Sequence, residues 1–319
     1  MVKKIPYGIS EFKKIRTENF YFVDKTKYIE KLENLNEPYI VHLRPRRFGK
    51  SLFVSMLEYY YDIKNKEENT KLFDGLYIGD NPTPKEGSYY ILKFDFSGVA
   101  SNSLNDIESI FNIKVENSIK KFVEKYSIAN IDLDYDLKNA ATLLSTFLDQ
   151  IENKVSNKIY LMIDEYDHFA NDLLGKNYNF FKQSVSSSGF VRSFYEVIKI
   201  GTTSIVDRIF ITGVSPLTLD SFTSGFNISS DFTRDFMFNE MLGFTKDEVV
   251  KLCENVIADK NFDISEKLIE FKKNYNGYMF SEDGKETVYN SDMILYYLSN
   301  YIRHGKEPKN IISKNVRND

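Results

Sequence analysis

The stretch that decides the fold is Tyr39-Ile-Val-His-Leu-Arg-Pro-Arg-Arg-Phe-Gly-Lys-Ser-Leu-Phe53. Its first five residues are apolar apart from His42 and predict a buried strand, and a helical pattern starts at Ser51. Between the two lies a turn that ends in Gly49 and Lys50. A helix N-terminus that follows a strand at this distance presents unpaired N–H groups and partial positive charge, which suit a phosphate group.

Three residues of this turn suit nucleotide binding. Gly49 lets the backbone approach a phosphate, Lys50 reaches β- and γ-phosphates, and the Ser51 hydroxyl is a Mg²⁺ ligand. The full G-x-x-x-x-G-K-[ST] motif (Walker A) has glycine where this chain has Arg44. From the residues alone, the turn is either a degenerate nucleotide loop or a helix start with an exposed lysine, and the flanking strand and helix favour the loop.

The arginines beside the turn are candidates for phosphate contact, because guanidinium groups donate in pairs to phosphate oxygens. Arg47 is the strongest candidate, ahead of Arg44 and Arg46, and solvated charge or ion pairing is the alternative for all three. The predicted nucleotide-binding residues are Arg46, Arg47, Phe48, Gly49, Lys50, Ser51 and Leu52.

A second apolar run, 159–163, ends in Asp164 and Glu165, the Walker B pattern. Asp164 is predicted to hold Mg²⁺, and Glu165 to orient and polarise the water that attacks the γ-phosphate. The alternative is a strand end with two solvated acids. For Asp167, two interpretations stay open: a further acid beside the site, or a helix cap.

Two more apolar runs, Tyr89–Phe96 and Ile209–Thr212, complete a set of four predicted strands without clean alternation. Such strands are typical of a parallel sheet covered on both faces, and helical patterns at 104–126 and 191–198 lie between them. We predict an α/β fold of the three-layer P-loop NTPase kind, with a mainly parallel sheet and an additional strand. In this scheme Tyr89–Phe96 intervenes between the two Walker motifs.

Other polar side chains near the strand ends are secondary candidates. Thr212 either senses the γ-phosphate, as a catalytic-site residue, or satisfies the turn that follows it. Asp95 either faces the same cleft or caps a loop. His42 is interpreted as a core histidine with satisfied hydrogen bonds, and His168 as a candidate for a role near the site.

After about residue 240 the pattern becomes helical. The run Thr245-Lys-Asp-Glu248 is a capping box, a second helix is predicted over 265–275, and Ser291 is a candidate cap for a third. We therefore divide the chain into a core over 1–240, a helical lid over 241–303 and a polar tail over 304–319, where a linker to an effector domain is expected to begin.

Composition excludes several classes of protein. The 319 residues include 42 Lys and Arg against 46 Asp and Glu, a net charge of −4, so bulk charge does not indicate direct nucleic-acid binding. The single cysteine excludes an internal disulfide, and no apolar stretch is long enough for a membrane helix. The N-terminus lacks the apolar core of a signal peptide, and we expect a cytoplasmic protein.

Six motifs together resemble the AAA-ATPase-like domain of prokaryotic proteins that typically carry a PD-(D/E)xK-type nuclease domain at the C-terminus. They are Phe22-Val-Asp-Lys-Thr-Lys-Tyr-Ile29, Arg44-Pro-Arg-Arg-Phe-Gly-Lys-Ser51, Ile163-Asp-Glu-Tyr-Asp167, Ile211-Thr-Gly-Val-Ser215, Gly243-Phe-Thr-Lys-Asp-Glu-Val249 and Tyr275-Asn-Gly-Tyr278. The resemblance implies that Arg44 is characteristic of the loop. It also implies that Asp24-Lys25-Thr26 belongs to the nucleotide site or packs beside it, which is compatible with Asp24 being a helix cap.

The motifs and the resemblance lead to one expected function, binding and hydrolysis of ATP with Mg²⁺ in control of an attached or partner effector, expected to be a nuclease. The alternative is a nucleotide-dependent switch with little turnover. A homo-oligomer is a possible assembly, with Arg208 and Arg234 as candidates for an arginine supplied to a neighbouring site. The nuclease pattern is not met, because Glu270-Phe-Lys272 has its letters but lies on a predicted helix.

Overall fold

A computed structural model describes residues 2–99, 103–133, 139–171, 178–186, 189–216 and 226–310. Its sheet has the order β2-β3-β4-β1-β5, and every pair of neighbouring strands is parallel. The predicted α/β class with a parallel sheet is therefore confirmed. The strands are β1 (Tyr39–Leu43), β2 (Tyr90–Asp95), β3 (Ile159–Asp164), β4 (Val206–Gly213) and β5 (Ser230–Asp231).

Helices precede, connect and follow these strands, and those predicted from the sequence form close to their expected bounds. Short 3-10 turns lie at Ile63–Asn65 and Phe236–Phe238. In the described part of the chain the helices are α1 (Phe12–Thr17), α2 (Lys27–Glu33), α3 (Lys50–Tyr61), α4 (Lys66–Leu72), α5 (Tyr77–Asp80), α6 (Leu104–Tyr126), α7 (Ala140–Ile151), α8 (Tyr178–Val185), α9 (Phe190–Gly201), α10 (Lys246–Val256), α11 (Ile264–Tyr275) and α12 (Ser291–His304).

Both faces of the sheet are covered, which makes three layers. Successive residues of a strand point to opposite faces. On β3, Leu161 and Ile163 join the core that includes α6, α7 and α9. Tyr160 and Met162 point the other way and join the core that includes α2 and α3. Burial on both faces explains why these strands read as unbroken apolar runs instead of alternating ones.

The strand predicted to intervene between the Walker motifs does so along the chain but not in the sheet. β2 is at the edge and pairs with β3, whereas β4 lies between β1 and β3. The predicted additional strand between the two Walker strands is therefore present, but it is β4 and not β2, because helical crossovers let a parallel strand enter at either side of its predecessor. The carboxyl ends of β1, β4 and β3 therefore lie side by side, where ligands bind in open α/β sheets.

The three C-terminal helices share a core distinct from those on the sheet faces. α10 begins with the predicted capping box, in which Thr245 Oγ1 accepts from the N–H of Glu248 and Glu248 Oε2 accepts from the N–H of Thr245. The predicted cap of α12 is wrong by one residue. Asn290 is the N-cap and accepts from the N–H of Met293 at 3.2 Å, and Ser291 is the first helical residue.

Candidate functional site

The loop between β1 and α3 turns into the helix at Gly49. This residue has a φ of 90°, a left-handed conformation that glycine adopts without steric cost. The helix starts at Lys50, so the N–H groups of its first turn, those of Ser51 and Leu52 included, are directed toward the loop. Strand, glycine turn and helix thus follow in the order that phosphate binding requires.

Lys50 is held across this loop. Its Nζ donates to the carbonyl oxygens of Arg44 at 3.1 Å and Pro45 at 3.2 Å, and the side chain is buried. Burial lowers the pKa of Lys50, while the neighbouring carboxylates of Glu165 and Asp164 oppose that effect. An ammonium group is therefore fixed beside two acids of the Walker B strand.

Asp164, the last residue of β3, meets the phosphate loop at Ser51. Burial raises the pKa of Asp164, and a hydrogen bond from the Ser51 hydroxyl opposes this shift. One carboxylate oxygen, Oδ1, is buried and has no hydrogen-bond partner. The two side chains predicted to hold Mg²⁺ therefore lie close together.

Glu165 follows at once and has an unusual backbone, with a φ of 56°. Its Oε2 lies 3.4 Å from Nδ1 of His168. The imidazole of His168 lowers the pKa of Glu165, partial burial opposes this, and Lys50 reinforces it. The carboxylate is therefore favoured in its ionised form beside the phosphate loop, as a residue that orients water requires.

Thr212 lies on β4 between the Walker A and Walker B strands, and its register partner on β1 is His42. The hydroxyl of Thr212 is buried without a hydrogen-bond partner. Both ring nitrogens of His42 are also buried and unpartnered, so the interpretation of His42 as a satisfied core histidine is wrong on this point. Burial, and then the charge of Arg44, lower the pKa of His42 and favour the neutral ring.

Arg44 does not offer its guanidinium group to a phosphate. The side chain is 1% exposed, and it donates to the carbonyl oxygens of Leu43, Thr233 and Phe238 at 2.7–2.8 Å. The guanidinium carbon also lies 4.0 Å from the ring centroid of Phe280. The hypothesis of a phosphate contact is wrong for Arg44, because its side chain is buried and Nη1 and Nη2 already donate to backbone carbonyls.

The other loop residues divide into exposed and buried. The side chains of Arg46 and Arg47 are exposed and line the cavity described below. Phe48 is buried, and its ring packs edge-on against Tyr278 and Phe280, with centroids 4.8 and 5.4 Å away. Any contact of Phe48 with a nucleotide would therefore come from its backbone.

The C-terminal region also bonds to the backbone of this loop. Arg47 has a φ of 71°, and its carbonyl oxygen accepts from Ser291 Oγ at 3.1 Å and from the N–H of Asp292 at 3.3 Å. The carbonyl oxygen of Phe48 accepts from the N–H of Gly243 at 3.2 Å. A left-handed, non-glycine residue is strained, so these contacts help to hold the loop in shape. Sequence reasoning missed this role of residues 243 and 291–292, since nothing in the sequence marks which C-terminal residues contact the loop.

Two acids turn out to have local partners. Asp167 is fully buried and accepts from the N–H groups of Val214 and Ser215 and from the side-chain amide of Asn171. These hydrogen bonds hold the turn after β4 in place. This structural role of Asp167 is closer to the predicted cap than to the predicted further acid of the site. Asp95 accepts from the N–H of Ser97 at 2.8 Å, as a loop cap does.

The segment Asp24-Lys25-Thr26 leads into α2, but the prediction that Asp24 is the cap of this helix is wrong, because the N-cap residue is Thr26. Asp24 Oδ1 accepts from the N–H and hydroxyl of Thr26, the N-cap residue of α2. Lys25 lines the cavity, and its Nζ lies 2.6 Å from Glu248 Oε2 and donates to the Glu240 carbonyl at 2.9 Å. Burial lowers the pKa of Lys25, and Glu248 opposes the shift. The segment therefore packs beside the site and ties it to the C-terminal helices.

The positions of the remaining candidates test two predictions, the arginine supplied to a neighbouring site and the nuclease pattern at Glu270-Phe-Lys272. Arg208 is buried near the amino end of β4 and donates to the Leu32 carbonyl at 2.8 Å, so the hypothesis that it serves a neighbouring copy is wrong. Arg234 is exposed and stays a candidate. Glu270 and Lys272 lie on α11, as the sequence predicts.

A cavity of about 500 Å³ is lined by several of the predicted site residues. Lys50, Ser51, Glu165 and His168 lie in its wall together with the exposed Arg46 and Arg47, whereas Asp164 and Thr212 are not part of the wall. The remaining wall is mostly apolar and comes from the N-terminal segment, α3 and the C-terminal region. It includes Ile9, Phe22, Val23, Phe53, Met56, Leu242, Phe244, Leu252 and Leu295. A charged compartment next to an apolar one suits a nucleotide, whose phosphates are charged and whose base is flat and weakly polar.

Comparison with known proteins identifies the class. Residues 6–223 match the model of the AAA-ATPase-like family, described as predicted AAA-ATPase, and this is more than half of the chain. The chain therefore belongs to the AAA-ATPase-like family. It is also 27% identical over 299 residues to an uncharacterized protein in the vnfD 5'region of Azotobacter chroococcum mcd 1. That match covers 92% of this chain and 52% of the relative, so the chain spans about half the length of this curated relative.

Two features are absent from the residues that the structure describes. Nowhere in them do three or more His, Cys, Asp or Glu side chains form a group able to hold a metal ion. None of the helices in the described part of the chain has the length and apolar character needed to cross a bilayer.

Proposed function

We propose that this chain binds ATP with Mg²⁺ in the cavity and hydrolyses it. The observation that carries the proposal is the contact between the Ser51 hydroxyl and the Asp164 carboxylate, with Lys50 and Glu165 beside it. The carboxylate at the end of β3 and the hydroxyl and ammonium groups of the first turn of α3 lie together at one helix N-terminus, an arrangement whose best use is to hold a triphosphate. Residues 46–52 are the proposed nucleotide-binding loop.

The donor set fits magnesium. Mg²⁺ prefers oxygen ligands and usually takes only one or two from protein side chains, with phosphates and waters supplying the others. Ser51 Oγ and Asp164 Oδ1, which is buried and unpartnered, are the two oxygens this chain would supply. Once bound, the ion would neutralise part of the phosphate charge.

The chain's own groups have distinct proposed roles in hydrolysis. Lys50 and the N–H groups at the start of α3 bind the phosphates and stabilise charge that develops on them. Glu165, favoured as a carboxylate by His168 and Lys50, orients the attacking water. Thr212, at the end of the strand between the Walker strands, is the proposed sensor of the γ-phosphate.

ATP is the proposed nucleotide. The cavity's carboxylates that face the loop, Glu165 and Asp292, lie by Lys50 and Arg47. A guanine ring carries N–H donors that need acceptors, whereas adenine leaves fewer donors unpaired against an apolar wall. The proposed compartment is the cytoplasm, where ATP is available.

We further propose that residues 1–240 form a core and residues 241–303 a lid, and that hydrolysis moves the lid on the core. The movement of the lid would then be transmitted to an effector, for which a nuclease is the first candidate. The support is direct contact, since Ser291, Asp292 and Gly243 bond to carbonyls of the phosphate loop. A second copy is a proposed partner, with Arg234 as the candidate arginine. Arginines supplied in this way raise rates by about 10³–10⁵, so the isolated chain is expected to be slow.

The second candidate function is a nucleotide-dependent switch with little turnover. The contacts between lid and loop favour it, because they link nucleotide occupancy to the lid whether or not the γ-phosphate is cleaved. The two functions share the binding site and differ only in whether the bound triphosphate is hydrolysed.

The test is a titration of the purified chain with MgATP, with GTP as competitor, followed by a turnover assay. Lys50→Ala should weaken ATP binding at least about tenfold, because a buried charge partner is lost. Glu165→Gln should retain binding but lower turnover by about 10²–10⁴, the usual effect of losing a general base. Lys71→Ala and Glu67→Gln, on exposed positions of α4 outside the cavity, are the matched controls.

Three outcomes decide between the proposals. Loss of turnover with retained binding in Glu165→Gln supports the hydrolase. ATP binding by the wild-type chain without turnover, even at high protein concentration, favours the switch. Full nucleotide affinity in Lys50→Ala would contradict both.

A further inference from the structure

His168 lies at the end of a turn that the rest of the molecule fixes tightly. The turn starts at Glu165, whose carbonyl oxygen accepts from the N–H of His168 at 3.1 Å. Inside it, the N–H of Tyr166 donates to the Thr212 carbonyl, and Asp167 accepts from two N–H groups after β4. The position of His168 relative to Glu165 is therefore set by the end of β4 and does not depend on a flexible loop.

There is no room for this turn to shift toward β4. A Cβ atom at Gly213 would lie 2.4 Å from Asp167 Oδ1 and 2.4 Å from the Tyr166 ring. The backbone of Glu165 is also left-handed, with a φ of 56°, which is costly for a residue with a side chain. This conformation aims the carboxylate and the imidazole into the same cavity.

The side chains of His168 and Glu165 face each other, slightly farther apart than in an ordinary hydrogen bond. His168 Nδ1 lies 3.4 Å from Glu165 Oε2, and their side chains are 25% and 21% exposed. Nδ1 is buried and has no hydrogen-bond partner in the described structure. Catalytic hydrogen bonds are often long before substrate binds and shorten in the complex. The other charged side chains that line the cavity are Lys25, Arg46, Arg47, Lys50 and Asp292.

We propose that His168 is a positioning residue for Glu165: its Nδ1–H donates to Oε2 and thereby leaves the second carboxylate oxygen directed at the attacking water. The proposal rests on the hydrolase function above. It assigns His168 no contact with the nucleotide, and it predicts an effect on the rate of hydrolysis without an effect on binding.

The experiment exploits the shapes of three replacements in the full chain. His168→Asn places an amide N–H where Nδ1 lies, His168→Gln places one where Nε2 lies, and His168→Leu has none. We expect His168→Leu and His168→Gln to lower kcat for MgATP by about 10–100-fold, the size of effect that misplacement of a catalytic group produces. Their KM and ATP affinity should stay within about twofold, and His168→Asn should recover most of kcat.

A second variant set shows whether the effect passes through Glu165. In a Glu165→Gln background, His168→Leu should cause no further loss, because residues that act as a unit are not additive. The proposal is overturned if His168→Asn is as slow as His168→Leu, if KM rises with the fall in kcat, or if the losses add. A wild-type chain that binds MgATP without turnover contradicts the hydrolase proposal and this one with it. Wild-type turnover that His168→Leu leaves unchanged overturns this proposal alone.

Discussion

The buried side chain of Arg44 holds the loop between β1 and α3 against the C-terminal part of the chain. It donates to carbonyl oxygens just beyond β5 and in the 3-10 turn that follows, and it lies over the ring of Phe280. The carbonyl oxygen of Arg44 accepts from Lys50 Nζ. The side chain of Arg44 therefore fixes the carbonyl group to which Lys50 donates, and arginine is suited to this because its planar group donates in several directions at once.

Replacement of Arg44 should damage stability, whereas replacement of Arg46 should damage binding. Arg44→Ala leaves buried carbonyl groups of Thr233 and Phe238 without their donors, and we expect the free energy of unfolding to fall by about 3 kcal/mol. Arg46 is exposed in the cavity wall, so Arg46→Ala should change stability by less than about 0.5 kcal/mol and weaken ATP binding severalfold. Chemical unfolding and nucleotide titration of both variants check this. Equal stability of the two variants would contradict the role given to Arg44.

At the scale of elements, the sequence predicted those strands, helices and caps that depend on the local pattern of residues. The four longer strands, α3 and the capping box of α10 form where apolar runs and capping residues place them. β5 escaped prediction because it is two polar residues long, and its pairing with β1 depends on position, not pattern. The order of strands and the partners of Arg44 were also out of reach, because they join segments about 190 residues apart. Contacts of that kind are decided by tertiary packing.

One ion-pair cluster ties three elements together and predicts a pH dependence of stability. Glu58 on α3 lies 3.2 Å from the Nζ of Lys93 on β2 and 3.1 Å from the Nζ of Lys125 on α6. Burial alone would raise the pKa of Glu58, but the two lysines outweigh it and the pKa is lowered. A carboxyl group with a lowered pKa stabilises the fold above its unfolded-state pKa, near 4.5, and loses that effect as the pH falls through its folded-state value.

Glu58→Gln should therefore cost stability at neutral pH and progressively less in acid. We expect a loss of about 1–3 kcal/mol at pH 7, because both lysines lose a charged partner. The difference from the wild type should shrink below pH 4.5, as measured by urea unfolding at a series of pH values. Glu116→Gln is the control, since its partner Lys120 is on the same helix and exposed, and the change should stay below about 0.5 kcal/mol. A pH-independent difference for Glu58→Gln would contradict the mechanism.

At the scale of the whole molecule, the cavity is a place where three distant parts of the chain meet. The N-terminal segment supplies Lys25, the loop between β1 and α3 and the turn after β3 supply Lys50, Ser51 and Glu165, and the C-terminal region supplies Gly243 and the N-terminus of α12. A ligand that contacts all three changes the free energy of their association, and by linkage their association changes the affinity for the ligand. We expect the contact with Arg47 to carry this coupling, because Ser291 bonds to a residue whose left-handed φ is strained.

The last prediction isolates this coupling in one hydroxyl group. Ser291→Ala removes the hydrogen bond from Ser291 Oγ to the Arg47 carbonyl and leaves the N–H of Asp292 in place. A bond of this kind contributes about 1 kcal/mol, so ATP affinity should fall about fivefold. Ser299→Ala, on the same helix but outside the cavity wall, should leave affinity unchanged. Reciprocity requires that ATP slow amide hydrogen exchange at Asp292 in the wild type, and less so in Ser291→Ala. A variant that melts earlier but binds ATP as tightly as the wild type would show that the lid packs on the loop without controlling it.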